Sequence, residues 1–260
     1  MGKMNNATLY ERLCGPSPLV MGIVNVTPDS FYSSSRVPSV TDACRRACAM
    51  AHEGAAIIDV GACSTRPGSQ PVEEAEELRR LIPALEAIRE ALPDAILSVD
   101  TFRPSVAAAC IHRVGEVIIN DVSGGDAAVN GFPDAPYVLT CPDADPQSFF
   151  AARLPLLAQQ GIRHVILDPG FGFGKTLDDN YRILAHLASL RTFGCPLLVG
   201  VSRKSMVYKP LGTSPDEALA GTTVLHTVAL MNGATILRVH DVPEAVTAVR
   251  LLSLLPPLES

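Results

Sequence analysis

The chain has 260 residues, 47% apolar and 18% charged, enough to bury a large core without crosslinks. Its net charge is −6, which lacks the basic footprint of a nucleic-acid binder, so an anionic ligand would need positive charge gathered locally. No run approaches about 18 uninterrupted apolar residues and the N-terminus has no signal-peptide core, so the expectation is a soluble, cytoplasmic protein with no membrane partner. The seven cysteines are odd in number and form no C-x-x-C pair, which points to neither a disulfide framework nor a zinc site.

In chain order, the first apolar run, V-M-G-I-V, stops at Asn25, and a Pro- and Ser-bearing segment at 27–39 reads as a long loop. Residues 41–53 have helical periodicity, Gly54 stops them, and a strand at 55–61 gives way to Ser64, Thr65 and Arg66 in a second long loop, 63–71. Residues 72–91 form an amphipathic helix opening on Glu73, Glu74, Glu76 and Glu77, where negative charge suits a helix N-terminus. I-L-S-V then stops at Asp100, a helix follows at 104–112, V-I-I stops at Asn120 and Y-V-L stops at Thr140. A helix at 146–160 ends at Gly161, V-I-L ends at Asp168, and a helix at 177–190 follows. L-L-V-G-V ends in Ser202, Arg203 and Lys204, a helix at 215–231 ends at Gly233, I-L-R-V carries Arg238 into His240, and a helix at 243–254 closes the chain.

Eight strands alternating with helices predict an α/β fold, a (β/α)8 TIM barrel spanning 1–260 as one domain, with its site at the carboxyl ends of the strands. A doubly wound open sheet also alternates, but its dinucleotide fingerprint is missing after the first strand, where Gly22 is followed by I-V-N-V-T-P. Polar residues fall at all eight strand ends. The loops at 27–39 and 63–71 both follow strands, which makes them candidate covers for the site.

Arg66, Arg203, Lys204, Arg238 and His240 would gather positive charge at the barrel mouth, as binding of a phosphate or diphosphate requires. Asp100, Asn120 and Asp168 carry short hydrogen-bonding side chains suited to a flat heterocycle rich in N–H groups, although Asp100 could equally cap the helix at 104. D-P-G-F-G-F-G-K-T at 168–176 fails as a P-loop, because Pro169 stands where the motif needs glycine. Its alternating Gly and Phe would let backbone and aromatic faces approach a ligand closely. Lys204 could instead be a Schiff-base lysine. A hard cation such as Mg2+, held mostly by ligand phosphates, would need only one or two protein oxygens, and Asn25 is placed for it.

L-V-M-G-I-V-N-V-T-P-D-S-F (19–31), D-V-G-A-C-S-T-R-P-G-S (59–69), S-V-D-T (98–101), I-I-N-D-V-S-G-G (118–125), I-L-D-P-G-F-G-F-G-K-T (166–176), G-V-S-R-K-S (200–205) and L-R-V-H-D-V (237–242) resemble, in order, the segments of the dihydropteroate synthases. The resemblance implies a folate-pathway transferase joining 4-aminobenzoate to 6-hydroxymethyl-7,8-dihydropterin diphosphate, assisted by Mg2+. It implies pterin binding by Asp100, Asn120, Asp168 and Lys204, and diphosphate binding by Asn25, Arg66, Arg238 and His240. Asn25 would hold the metal, and Thr65, Pro67, Phe173 and Ser205 would shape the aminobenzoate pocket. Asp100, Asp168, Lys204 and Arg238 would carry the catalysis, and the enzyme would be a homodimer and a sulfonamide target.

The chain departs from the family pattern after the fifth strand. There L-M-H-M or a near variant is usual and Y-V-L-T-C-P-D stands here, so Thr140 should leave the pterin wall smaller or more polar. Two other readings compete: a methyltetrahydrofolate–corrinoid methyltransferase barrel, which has no use for Arg238, His240 or the S-R-K triplet, and a non-catalytic pterin-binding paralogue.

Overall fold

The computed structural model describes residues 8–26, 40–62, 72–125 and 132–256. Its eight strands are β1 (Leu19–Asn25), β2 (Ile57–Gly61), β3 (Ile96–Asp100), β4 (Ile118–Asp121), β5 (Tyr137–Thr140), β6 (Val165–Asp168), β7 (Leu198–Val199) and β8 (Ile236–Val239). All pair in parallel, in the order β6-β5-β4-β3-β2-β1-β8-β7. A single bridge between Leu167 and Leu197 joins the two ends and closes the barrel, with the Leu167 amide donating to Pro196 O at 2.9 Å. The (β/α)8 expectation is met.

Side chains alternate across a strand, and the register makes that alternation an axial gradient inside the barrel. The inward positions nearest the amino ends are Met21, Ile57, Ile96, Ile118, Val138, Ile166, Leu198 and Ile236, one buried cluster. Two residues further on, the same face carries Asp59, Ser98, Asn120, Thr140, Asp168 and Arg238. The outward-facing Val, Ile and Leu of the strands belong to a separate cluster shared with the surrounding helices. Burial of each such side chain stabilises the barrel by roughly 1.5–3 kcal/mol.

A five-residue helix, α1 (Leu9–Leu13), is too short for a periodicity argument and was not foreseen. Thr8 and Glu11 form its capping box, and its Leu9 and Leu13 close the bottom of the inner apolar cluster. Around the barrel run α2 (Val40–Glu53), α3 (Glu74–Ala91), α4 (Pro104–Val114), α5 (Pro146–Gln159), α6 (Leu177–Ala185), α7 (Ser205–Tyr208), α8 (Leu219–Met231) and α9 (Val242–Leu252). The segment 177–190 is α6 followed by a 3-10 helix, Leu187–Phe193. The segment 215–231 likewise divides, because Ser214, Pro215 and Glu217 form a capped 3-10 turn before α8.

Candidate functional site

The carboxyl end of the barrel holds a buried network of charges. Asp59, fully buried in the middle of β2, accepts from Ser98 Oγ at 2.6 Å, from Asn120 Nδ2 at 3.2 Å and from Arg238 Nε at 2.7 Å. Arg238 Nη2 donates to Asp100 at 2.6 Å. Thus β2, β3, β4 and β8 are tied across the interior by one guanidinium and two carboxylates. Asp100 is therefore not a helix cap; α4 is preceded by Arg103, which makes no side-chain cap bond.

Asp168 accepts from Gly170 N–H at 2.8 Å. Lys204 reaches from the β7–α7 turn to donate to Phe171 O at 2.5 Å, and its ammonium lies 4.6 Å from the centre of the Phe173 ring. Gly172, at φ +79, lies against the Lys204 stem: a Cβ there would sit 3.1 Å from its Cδ. Of the two phenylalanines in the alternating segment only Phe173 presents its ring here, since Phe171 is buried in the core and contributes its carbonyl. Two inward positions at the top are glycines, Gly61 beside Asp100 and Gly200 beside Arg238 and Lys204, which leaves a hollow among the charges.

Electrostatics in this enclosure set each group against its burial. Burial pushes Asp100 up to about 7, against the pull of Arg238, with Asp59 adding repulsion. It also raises Asp168, opposed by Lys204. Lys204 is lowered to about 8 by burial, against the attraction of Asp168. Arg238 loses hydration too, but Asp59 and Asp100 more than offset that and hold it above its ordinary value. Within this network Arg238 keeps its charge, and burial carries Asp100 toward the neutral range.

The mouth differs from the sequence expectation in one respect. Arg203, at φ 55, turns away to pair with Asp241 at 2.8 Å and to donate to Pro215 O and Asp216 O. It braces the turn before α8 and leaves the site. The cluster among the described residues is consequently mixed in sign, not uniformly positive. Asn25 ends β1 in register with Gly61, and its amide makes no side-chain hydrogen bond among the described residues. His240 follows β8, its N–H donating to Ser202 Oγ at 3.2 Å and its carbonyl accepting from Arg46 at 3.1 Å. Ser205 opens α7. Thr65, Arg66 and Pro67, with both loops read as covers, lie outside the described residues.

Two contributors escaped the sequence reading. Asp59 interrupts I-I-D-V-G at an inward position, and a charge with the parity of Ile57 was the available signal. Lys175 donates to the carbonyls of Cys141, Gly170 and Phe173 at 2.8, 3.0 and 3.4 Å. Thr140, 1% exposed, points inward with its hydroxyl unpartnered. A cavity of about 480 Å³ at the opposite end of the barrel, around Arg12, Leu92 and Pro93, gathers no comparable charges.

An eight-stranded barrel with this buried Asp, Asn, Lys and Arg array at its carboxyl end belongs to a class of ligand-binding (β/α)8 enzymes. The family model described as pterin binding enzyme matches residues 21–144 and 141–240. The dihydropteroate synthase of Escherichia coli (strain K12) is 42% identical over 257 residues, covering 90% of each chain. A Xanthomonas albilineans dihydropteroate synthase solved with 4-aminobenzoic acid superposes with a TM-score of 0.86 at 37% identity, covering 93% of this chain and 95% of that one. The same enzyme in complex with 7,8-dihydropteroate gives 0.83, again at 37% identity and with the same coverage. The chain belongs to the pterin-binding enzyme family, among its dihydropteroate synthases, transferases of folate biosynthesis.

Proposed function

We propose that this chain condenses 4-aminobenzoate with 6-hydroxymethyl-7,8-dihydropterin diphosphate to release 7,8-dihydropteroate and diphosphate, with the roles of its residues as follows. The observation that carries the assignment of roles is the convergence of Asp100, Asn120, Asp168 and Lys204 around an inward hollow. Acceptors on three strands and one buried ammonium match a heterocycle with N–H donors on one edge and acceptors on another. The small-molecule complexes of the Xanthomonas albilineans relative support the same substrates.

Arg238 uses Nε and Nη2 on Asp59 and Asp100, which leaves the remaining donors of its guanidinium for the diphosphate. Arg66, His240 and Asn25 complete that subsite. The C–O bond to diphosphate breaks first and leaves a cationic pterin methylene, which the arylamine nitrogen then attacks and afterwards loses a proton. Fixed charge stabilises the departing group, so catalysis is electrostatic rather than acid–base, and the carboxylates of Asp100 and Asp168 favour the electron-poor ring. Thr65, Pro67, Phe173 and Ser205 form the aminobenzoate pocket, where a sulfonamide would compete.

The donor set at β1 fits Mg2+: one amide oxygen free of side-chain hydrogen bonds, and no cluster of three or more metal-binding side chains among the described residues. Such a site suits a hard cation that takes its other oxygens from diphosphate and water. When bound, the ion supplies neutralisation of leaving-group charge. The outer faces of α8 and α9 expose Val224 (60%), Met231 and Leu251 (62%), which supports a homodimer through these helices. No helix among the described residues is long and apolar enough to cross a membrane, and we place the enzyme in the cytoplasm.

The test is diphosphate release from the pterin substrate, followed with a coupled assay in the presence and absence of 4-aminobenzoate. Release should occur and dihydropteroate should form when both are present. No release under either condition sinks the synthase reading, whereas release strictly dependent on aminobenzoate retains the function and overturns the order of bond breaking.

A further inference from the structure

The glycine–phenylalanine segment that failed as a P-loop leaves one charged residue without a role in the reaction. Lys175 is half-buried, and its ammonium is spent on backbone: it donates to Cys141 O at the exit of β5 and to Gly170 O and Phe173 O within its own loop. Burying a lysine lowers its affinity for a proton, so a position that neutral residues could fill is held at a cost and must be offset by these three bonds. The loop is also pressed onto β5. Gly170, at φ +71, approaches so closely that a Cβ would lie 2.1 Å from Cys141 O.

What the loop carries is the environment of Lys204. Phe171 O accepts its ammonium, Gly172 lies along its stem and the Phe173 ring faces its charge. These three contacts come from consecutive residues of the loop that Lys175 fastens at both ends. The other fastening is Asn180, which accepts from Gly172 N–H at 2.8 Å and donates to Thr176 O at 2.6 Å, on the side facing α6. Asn180 ties the loop to its own helix, and among the described residues Lys175 is the side chain that ties it to the exit of β5. The β5 exit, whose Thr140-Cys141-Pro142 departs from the family pattern, thereby acts through a carbonyl that any residue would supply.

We propose that Lys175 is a positioning residue that docks the glycine–phenylalanine loop on the exit of β5 and, through Phe171 and Phe173, fixes the place of the Lys204 ammonium. For its consequence on substrate it rests on the reading above that Lys204 holds the pterin. The docking itself does not.

The ligand-free protein, labelled with 13C-lysine, should show the Lys204 ε-methylene resonance shifted upfield by the Phe173 ring; K204R assigns the resonance and F173L removes the shift. Lys175→Met, which keeps the stem and loses the donors, should move that resonance toward the value in F173L. It should also weaken 7,8-dihydropteroate binding by about tenfold to a hundredfold, as small misplacements of a binding group do. K175R, which keeps charge and donors, should recover much of both, and K175Q takes the place of K175M if the latter does not melt cooperatively. An unchanged Lys204 resonance in a folded K175M or K175Q overturns the proposal, as does a variant that loses only thermal stability. Because the resonance is read without ligand, it judges Lys175 independently. Failure of the unmodified protein to release diphosphate would count against the functional reading alone.

Discussion

The two halves of the barrel interior are built by the same eight strands and differ in almost every physical respect. The amino-terminal half is a closed apolar plug of Ile, Val, Leu and Met sealed below by Leu9 and Leu13. The carboxyl-terminal half, about 6.6 Å further along each strand, buries Asp59, Asp100, Asp168, Lys204 and Arg238. Desolvation penalises every charge in the upper half, so the lower half must supply the rigidity that holds each against its partner. Binding groups can be placed in a strained electrostatic setting when the floor beneath them cannot move.

The sharpest way to break this contrast is Arg238→Ala. It removes the cation that two buried carboxylates share, so stability should fall by about 3–5 kcal/mol and kcat by about 10²–10³-fold at saturating substrate. Denaturant melts and steady-state kinetics check this, and unchanged turnover would refute the role given to Arg238. Ile118→Ala addresses the floor instead. It should cost about 2–5 kcal/mol through the cavity it leaves, while kcat/KM per folded molecule stays near its original value. A large loss of kcat/KM in that variant would show that the two halves are not separable.

Acidity gives a finer probe. With Asp100 raised to about 7 and Lys204 lowered to about 8, kcat/KM for the pterin substrate should rise with pH as Asp100 ionises and fall as Lys204 loses its proton. The profile should be a narrow bell with limbs near those values, and K204R should push the alkaline limb upward. A flat profile from pH 6 to about 9 would contradict the assigned protonation states. The smallest expected effect is at Thr140. Thr140→Val keeps the volume and deletes a buried hydroxyl that has no partner, so the free protein should gain about 1 kcal/mol in thermal melts. If ligand affinity falls at the same time, the hydroxyl contributes to binding.

Much of this architecture is legible in the sequence because both of its periodicities are local. The strand runs and their polar ends follow from alternation, and seven of the eight helices around the barrel follow from apolar spacing and glycine stops such as Gly54 and Gly161. What stayed hidden lacks a local signature. The bond from Arg238 to Asp59 spans 179 residues, so nothing near either residue announces that the cation is already engaged. Arg203 and Lys204 are adjacent, yet one braces a turn and the other enters the site, because a positive φ at Arg203 reverses the chain between them. The α1 plug and the four-residue α7 are too short for any period to register.

The closure of the barrel has its own consequence. Seven of the eight neighbouring strand pairs share a ladder, but β6 and β7 meet through one bridge, Leu167 to Leu197. Asp168 stands on one bank of that gap and Lys204 hangs from the other. A molecule gripped by both spans the place where the hoop is thinnest, and substrate then acts as a rivet. Occupancy should slow amide exchange at Leu167 and Leu197 more than at the continuous ladders opposite, tying the catalytic cycle to the mechanical closing of the fold itself.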